Sequence, residues 1–340
     1  MSEALATKYR PRTFDDCCGQ KSIIKILERQ IETKTFKNCY LFSGPSGTGK
    51  TTIGRIFANF INNNEGSPIE IDAASNNGVD NIRNIINDAK ERAIDAEYKV
   101  IILDECHMLS NQSWNALLKC IEEPPKYTLF IFCTTDPQKI PQTILNRVQR
   151  FNLTKISLDE IKERLKFICS KENFLYDEES LDYIAKISEG GMRDAIAYLD
   201  KVSSYDNNIY INNVLEALGN YSYETFFELT NSIIDANECK VLNIIEGFYN
   251  EGKDLKLFVE QYLTFILDID KYCIFKDIRC TKFPQTDKMI KDLNYCIGFE
   301  NSGKYFNYLL DKVLEIKNNI KNDTNVKTTI LVLFLQIIRG

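Results

Sequence analysis

The chain has 340 residues, 44% of them hydrophobic, which is enough for two or three domains with full cores. Its net charge of −6 excludes a general electrostatic pull toward nucleic acid, so any such contact must come from a local patch or a surface shared with other subunits. No run of 18 apolar residues occurs and Met1–Lys8 has no signal-peptide pattern, so no membrane span and a cytoplasmic protein are expected. The eleven cysteines are scattered and odd in number, with no C-x-x-C and one histidine in the whole chain. Reduced, mostly buried thiols are expected in place of a zinc site.

Over the first 150 residues, short β-rich runs alternate with amphipathic ones. Strands are predicted at Cys39–Ser43, Ile69–Ala73, Lys99–Glu105, Thr128–Thr135 and Gln149–Leu153, and helices at Lys50–Ile61, Val79–Ala93, Ser113–Glu123 and Gln142–Val148. Such alternation implies an α/β fold, a mainly parallel sheet with helices on both faces. Beyond Leu153 the strand signals fade. Ser157, Asp177 and Gly191 each precede a helical pattern, and Ser157 with Glu160 reads as a capping box. Gly219-Asn220 punctuates the chain, and five or six further amphipathic helices follow, among them Leu255–Ile269 and Phe306–Ile320. The Asn- and Lys-rich stretch 318–325 reads as a helix connection.

Two motifs carry chemistry. Gly44-Pro45-Ser46-Gly47-Thr48-Gly49-Lys50-Thr51 is a complete Walker A sequence between a predicted strand and a predicted helix. In that context backbone N–H groups cradle phosphates, Lys50 reaches the β/γ-phosphates and the Thr51 hydroxyl ligates Mg²⁺. Thr52 extends the nucleotide-contacting set, and ATP with Mg²⁺ is the expected cofactor pair. Val100-Ile101-Ile102-Leu103-Asp104-Glu105 is a Walker B strand, apolar until two carboxylates at its C-terminal end. Asp104 would hold Mg²⁺ and Glu105 would polarise the attacking water. The Asp-Glu-Cys-His sequence ending at His107 also matches a helicase tetrad, but no second helicase domain is visible. Thr134-Thr135-Asp136 ends the next strand, where a hydroxyl could orient water. Arg147 and Arg193 carry no signal from spacing alone.

Several further segments occur in a fixed order. They are Lys8-Tyr9-Arg10-Pro11-Arg12-Thr13-Phe14, Gly19-Gln20, the stretch 71–79, Glu122-Glu123-Pro124-Pro125, Thr134-Thr135-Asp136-Pro137-Gln138-Lys139 and Gly190-Gly191-Met192-Arg193-Asp194. Together with the Walker motifs they resemble the gamma/tau subunit family of bacterial DNA polymerase III, the AAA+ ATPases of sliding-clamp loaders. The resemblance is dense over 9–219 and thinner beyond. It implies an AAA+ P-loop domain over 1–155, a small helical lid over 156–219 and an all-α collar over 220–340. By position it implies that Tyr9, Arg10 and Pro11 line the adenine pocket, that Thr135 is sensor 1, and that Arg193 is sensor 2. Arg147 matches a finger that acts on a neighbouring subunit's ATP. Ser75, Asn76, Asn77 and Arg83 open the helix that faces DNA in the family, although a plain helix cap explains Ser75–Asn77 as well. The implied partners are other loader subunits in a ring or spiral (five is one option), a sliding clamp, and primed DNA.

The chain departs from the family pattern in three places. The four-cysteine zinc module expected before the second strand is replaced by Asn62-Asn63-Asn64-Glu65-Gly66-Ser67-Pro68, so no zinc is expected. The finger's usual Ser-Arg-Cys is Asn146-Arg147-Val148. The sequence stops at Gly340, after the collar, as a phage, plasmid or divergent bacterial version would. Two other functions remain open on sequence alone. One is a different AAA+ DNA remodeller, such as a branch-migration motor; the other is a non-catalytic loader subunit.

Overall fold

A computed structural model describes residues 3–283, 287–321 and 323–339. Asn322, within the predicted helix connection, and the terminal residues Met1, Ser2 and Gly340 lie outside the described residues. The chain divides into two compact units, one of residues 1–168 with 188–197, the other of 169–187 with 198–340.

The first unit is built on β1 (Cys39–Ser43), β2 (Ile69–Asp72), β3 (Lys99–Asp104), β4 (Thr128–Thr134) and β5 (Gln149–Asn152). They form one sheet in the order β2-β3-β4-β1-β5, and every pairing is parallel. The helices are α1 (Leu5–Lys8), α2 (Lys21–Glu32), α3 (Lys50–Ile61), α4 (Val79–Lys90), α5 (Asn111–Glu122), α6 (Gln142–Leu145), α7 (Leu158–Glu172), α8 (Glu178–Ile187) and α9 (Met192–Tyr205). Of these, α8 belongs to the second unit, and the dividing points fall within α7 and α9.

Successive strand residues point to opposite faces, and in the central strands β1, β3 and β4 both faces are dry. Tyr40, Phe42, Val100, Ile102, Leu129 and Ile131 pack with residues of α2 and α3. Leu41, Ile101, Leu103, Phe130 and Phe132 pack on the other side with residues of α4, α5 and α6. That two-sided burial is why β1, β3 and β4 read as nearly continuous apolar runs. Helix α3 seats closely on the sheet because it carries Gly54, where a Cβ would stand 3.1 Å from Ile131 Cγ2.

Most predicted elements are present, with shifted ends. Helix α4 stops at Lys90 and not at Ala93. Its final carbonyls are already taken: Lys99 Nζ donates to Asp88 O (2.6 Å) and Thr128 Oγ1 to Ala89 O (2.7 Å). Helix α6 ends at Leu145, where Arg147 N donates to Ile144 O and the chain turns into β5. Helix α2 was not predicted, although Ile23, Ile24, Leu27 and Ile31 are spaced to line one helix face. The capping box forms: Glu160 N donates to Ser157 Oγ, and Ser157 N donates to Glu160 Oε2, each at 3.3 Å.

The second unit adds α10 (Ile211–Leu218), α11 (Tyr223–Ile234), α12 (Glu238–Asn250), α13 (Leu255–Phe275), α14 (Asp287–Cys296), α15 (Ser302–Ile320) and α16 (Val326–Arg339). It also holds a two-residue parallel pair, β6 (Leu175–Tyr176) with β7 (Asn208–Ile209), too short to have left a sequence signal. An aromatic core of Phe226, Phe258, Tyr262, Phe265 and Phe283 joins α11 and α13. Among the described residues no helix is long and apolar enough to cross a membrane.

Trp114, the chain's one tryptophan, is 2% exposed in α5 and packs against Phe132, so it reports on the first unit alone. Leu117→Ala, one turn along the same buried face, is expected to cost about 2–5 kcal/mol. Urea unfolding followed by Trp114 emission checks this; a midpoint equal to the parent's would mean α5 is not seated as described.

Candidate functional site

Strands β1, β3 and β4 all end on one edge of the sheet, and the loops after them meet there. The Walker A loop leaves β1 as Gly44 N donates to Thr134 O (3.2 Å). It then enters α3 with Gly47 at φ 72° and Gly49 at φ 96°, a left-handed region that favours glycine. Lys50 is buried, and its Nζ donates to Gly44 O (3.0 Å) and Pro45 O (2.9 Å). Burial pushes its ammonium down, against the opposing pull of Glu105.

Thr51 and Asp104, two strands apart, are joined: Thr51 Oγ1 donates to Asp104 Oδ2 at 2.7 Å. The other carboxylate oxygen, Oδ1, accepts from Glu105 N at 2.9 Å. Glu105 itself sits at φ 46°, uncommon for a residue with a side chain and costing about 1–3 kcal/mol, the kind of strain found at functional sites. Its Oε2 accepts from Thr135 Oγ1 at 3.0 Å and lies 3.2 Å from His107 Nδ1. His107 Nδ1 also lies 3.2 Å from Thr134 Oγ1. The threonine pair is thus split in role, Thr135 on the Glu105 carboxylate and Thr134 on the histidine. His107 is the site residue that sequence reasoning left aside, having weighed it only as part of a helicase tetrad. Its signal was the spacing of two residues from Glu105 across a tight turn.

A cavity of about 360 Å³ opens above the Walker A loop, within the usual range for ligand pockets of about 300–1,000 Å³. Ser46, Gly47, Thr48, Gly49, Lys50, Thr51 and Thr52 line it, as do Asp104, Glu105 and Arg193. Tyr9, Arg10 and Pro11 line it too. Arg10 stands at its polar end, with Nε donating to Thr52 Oγ1 at 3.3 Å. Burial, and then the nearby Arg55 and Arg193 cations, push its guanidinium down. Arg193 is delivered by a close backbone approach. Met192 N donates to Gly47 O at 3.0 Å, and a Cβ on Gly47 would stand 3.0 Å from Gly191 Cα, so a glycine pair meets where the lid segment touches the Walker A loop.

This donor set fits a nucleoside triphosphate with Mg²⁺. Cations Lys50, Arg10 and Arg193 surround a loop whose Gly49 has open space where a Cβ would be. The adjacent hydroxyl and carboxylate of Thr51 and Asp104 are hard oxygen ligands of the type Mg²⁺ takes. Among the described residues no group of three or more His, Cys, Asp or Glu could hold a metal ion by itself.

Arg147 lies elsewhere. It precedes β5, at the edge of the sheet where the strands begin, and borders a separate hollow with Lys37, Cys39 and Glu122. Its Nη2 is 2.7 Å from Glu122 Oε1 and its Nη1 donates to Thr143 O. A strand of five residues separates the two edges, roughly 15 Å, so Arg147 cannot serve its own chain's cavity. Ser75, Asn76 and Asn77 precede α4 but do not cap it. Its N-cap is Gly78, while Ser75 Oγ and Asn76 Nδ2 turn back to Asp72, and Asn77 O accepts from Ser113 Oγ. Arg83 is exposed and pairs with Asp80.

The parallel sheet, Walker loop and lid segment define a P-loop domain of the AAA+ class. A solved structure of the Thermotoga maritima RuvB Holliday junction branch migration motor shares the fold, with a TM-score of 0.53 at 22% identity over 66% of this chain and 79% of that one. Residues 69–157 match the family described as DNA polymerase III, delta subunit, and residues 160–203 match the DNA polymerase III clamp loader subunit, ATPase lid domain. Curated relatives include DNA polymerase III subunit tau of Bacillus subtilis, 39% identical over 79% of this chain and 52% of its own length. Subunit gamma of Buchnera aphidicola from Acyrthosiphon pisum is 33% identical over 78% of this chain and 80% of its own length. The chain belongs to the DNA polymerase III gamma/tau subunit family. It spans about half the length of the tau and gamma/tau relatives.

The Lys50→Ala variant is expected to bind a fluorescent ATP analogue at least about 100-fold more weakly, as befits loss of a buried charged phosphate partner. Titration checks this, with Trp114 emission as the folding control. Parent-like affinity would remove Lys50 from the phosphate site.

Proposed function

We propose that this chain is the ATP-hydrolysing motor subunit of a sliding-clamp loader, which opens a ring-shaped clamp and places it on primed DNA in the cytoplasm. The observation that carries the reading is Glu105, held by Thr135 and hydrogen-bonded through its N–H to Asp104 of the Thr51–Asp104 pair, because it sets a carboxylate able to activate water beside a metal and phosphate site. Family membership supports the loader context, and the relatives' names supply DNA polymerase III as its setting.

Within this reading Lys50 holds the β/γ-phosphates, Glu105 accepts a proton from the attacking water, and Thr135 keeps that carboxylate aimed. Thr51 and Asp104 would hold Mg²⁺, which supplies charge neutralisation at the phosphates when bound. Arg193 approaches from the lid segment, and Arg147 is offered to a neighbouring subunit. The functional segments are 1–155 for nucleotide, 156–219 for the lid and 220–340 for assembly. Ser75, Asn76, Asn77 and Arg83 are offered to DNA, with partner subunits completing that surface. No zinc is needed. The likeness to a branch-migration motor extends to the fold alone and does not favour that function. A non-catalytic subunit has no need of a strained, paired Glu105.

The assembly is tested by mixing variants. Arg147→Ala keeps its own pocket and should bind ATP, yet hydrolyse it about 10³–10⁵-fold more slowly, the range for loss of an arginine finger. Lys50→Ala should fail through an empty pocket. A mixture, with partner subunits supplied, should regain turnover where an intact pocket meets an intact Arg147. Summed residual activities despite demonstrated co-assembly would mean that Arg147 does not act across subunits.

A further inference from the structure

The cavity is lined by more than the phosphate cations. Ile156, Ile196, Pro11, Cys17 and Cys18 line it too, together with Tyr9 and Arg164. The isoleucines and Pro11 are apolar, the two thiols pair weakly and Arg164 is engaged by the Tyr9 carbonyl, so the edge of a nucleobase would be read mainly by backbone groups of the segment from Tyr9 to Gln20. That segment has no helix or strand over its length. An irregular strap keeps its shape only through what ties it down.

Three ties are built in besides the Arg10–Thr52 hydrogen bond. The Phe14 ring is buried and stacks on Phe60, 5.3 Å between centroids. At one end, Arg164 Nη2 donates to the Tyr9 carbonyl at 2.9 Å across 155 residues of sequence. The same guanidinium lies 5.1 Å from the Phe167 ring, which meets Tyr9 edge-on. At the other end, the Gln20 side-chain amide pairs twice with Thr154, donating to its carbonyl at 2.6 Å and accepting from its N–H at 3.2 Å. Gly19 and Gln20 are both left-handed, at φ 70° and 57°, and a glutamine holds that conformation only where surroundings fix it. Helix α7 and the residues leading into it therefore grip the strap at both ends. Neither Arg164 nor Gln20 belongs to the phosphate machinery.

The geometry points to Arg164 and Gln20 as positioning residues that set base specificity, holding the strap's backbone in the register that reads adenine. The inference rests on the cavity being the ATP site proposed above. Its probes are ATP, GTP and inorganic tripolyphosphate, each with Mg²⁺, which separate base recognition from phosphate recognition.

In Arg164→Met, ATP affinity should fall about tenfold, as for one lost charge-assisted hydrogen bond, while tripolyphosphate stays within about twofold of the parent. The preference for ATP over GTP should shrink by the same factor. Arg164→Lys keeps a cation and one donor but not the flat face on Phe167, so it should recover part of the loss. Gln20→Ala should repeat the pattern from the other end, and covers the case in which Arg164→Met fails to fold by Trp114 emission. Equal losses for ATP and tripolyphosphate, or no loss in either strap variant, would overturn the proposal. A parent that binds no ATP, or a Lys50→Ala variant that binds tripolyphosphate like the parent, would instead overturn the underlying nucleotide assignment.

Discussion

The 2.7 Å hydrogen bond from Thr51 to Asp104 sets a demanding condition on the fold. Thr51 stands one residue into the helix after β1, and Asp104 ends β3, yet β4 lies between those strands. The bond can form only if α3 lies low across the sheet and the strands stay parallel and in register, so that their C-terminal ends form one edge. Gly54 allows the low seat over Ile131, and Ser43 pairing with Thr134 fixes the register on the β1 side. The two-sided apolar burial of the sheet is the energetic means of holding that edge rigid. Against it, Glu105 can be kept in a strained conformation, because Asp104 Oδ1, Thr135 and His107 constrain it from three directions.

The same sheet separates two sets of residues. The residues lining the cavity collect where the strands end, and Arg147 stands where they begin. On the proposal that Arg147 acts on a neighbouring subunit's site, the two edges suit head-to-tail contact, in which each interface pairs unlike surfaces and generates a ring or an open spiral. The exposed ion pair of Arg147 with Glu122 fits that role. Surface pairs of this kind contribute about 0–1 kcal/mol, little enough to be exchanged for a phosphate.

The site was legible in sequence where its residues are contiguous. The Walker A loop and the Walker B strand carry their context with them, and the bounds of β1 and α3 follow directly from hydrophobic patterning. What was hidden depends on pairings far apart in the chain. That β4 lies beside β3 is expected of a sheet wound in the usual way, but nothing local says which threonine of the pair reaches Glu105. The alternative that Ser75–Asn77 cap a helix was reasonable by composition. It lost to Asp72, whose carboxylate and carbonyl collect those side chains before the helix begins. Gly19-Gln20 was visible as a motif without a purpose, since the partner of Gln20 lies 134 residues away. Helix α2 is readable from its isoleucine and leucine spacing, but no motif in the segment before β1 points to it.

ATP-dependent capture of a clamp tests the motor assignment most directly. The Glu105→Gln variant keeps the phosphate and metal groups and loses the carboxylate that would take a proton from water. Native mass measurement of this variant with its partner subunits and a candidate ring clamp should show a stable loader–clamp complex in ATP, and separate loader and clamp in ADP. The same clamp occupancy in both nucleotides, or none in either despite intact ATP binding, would contradict it.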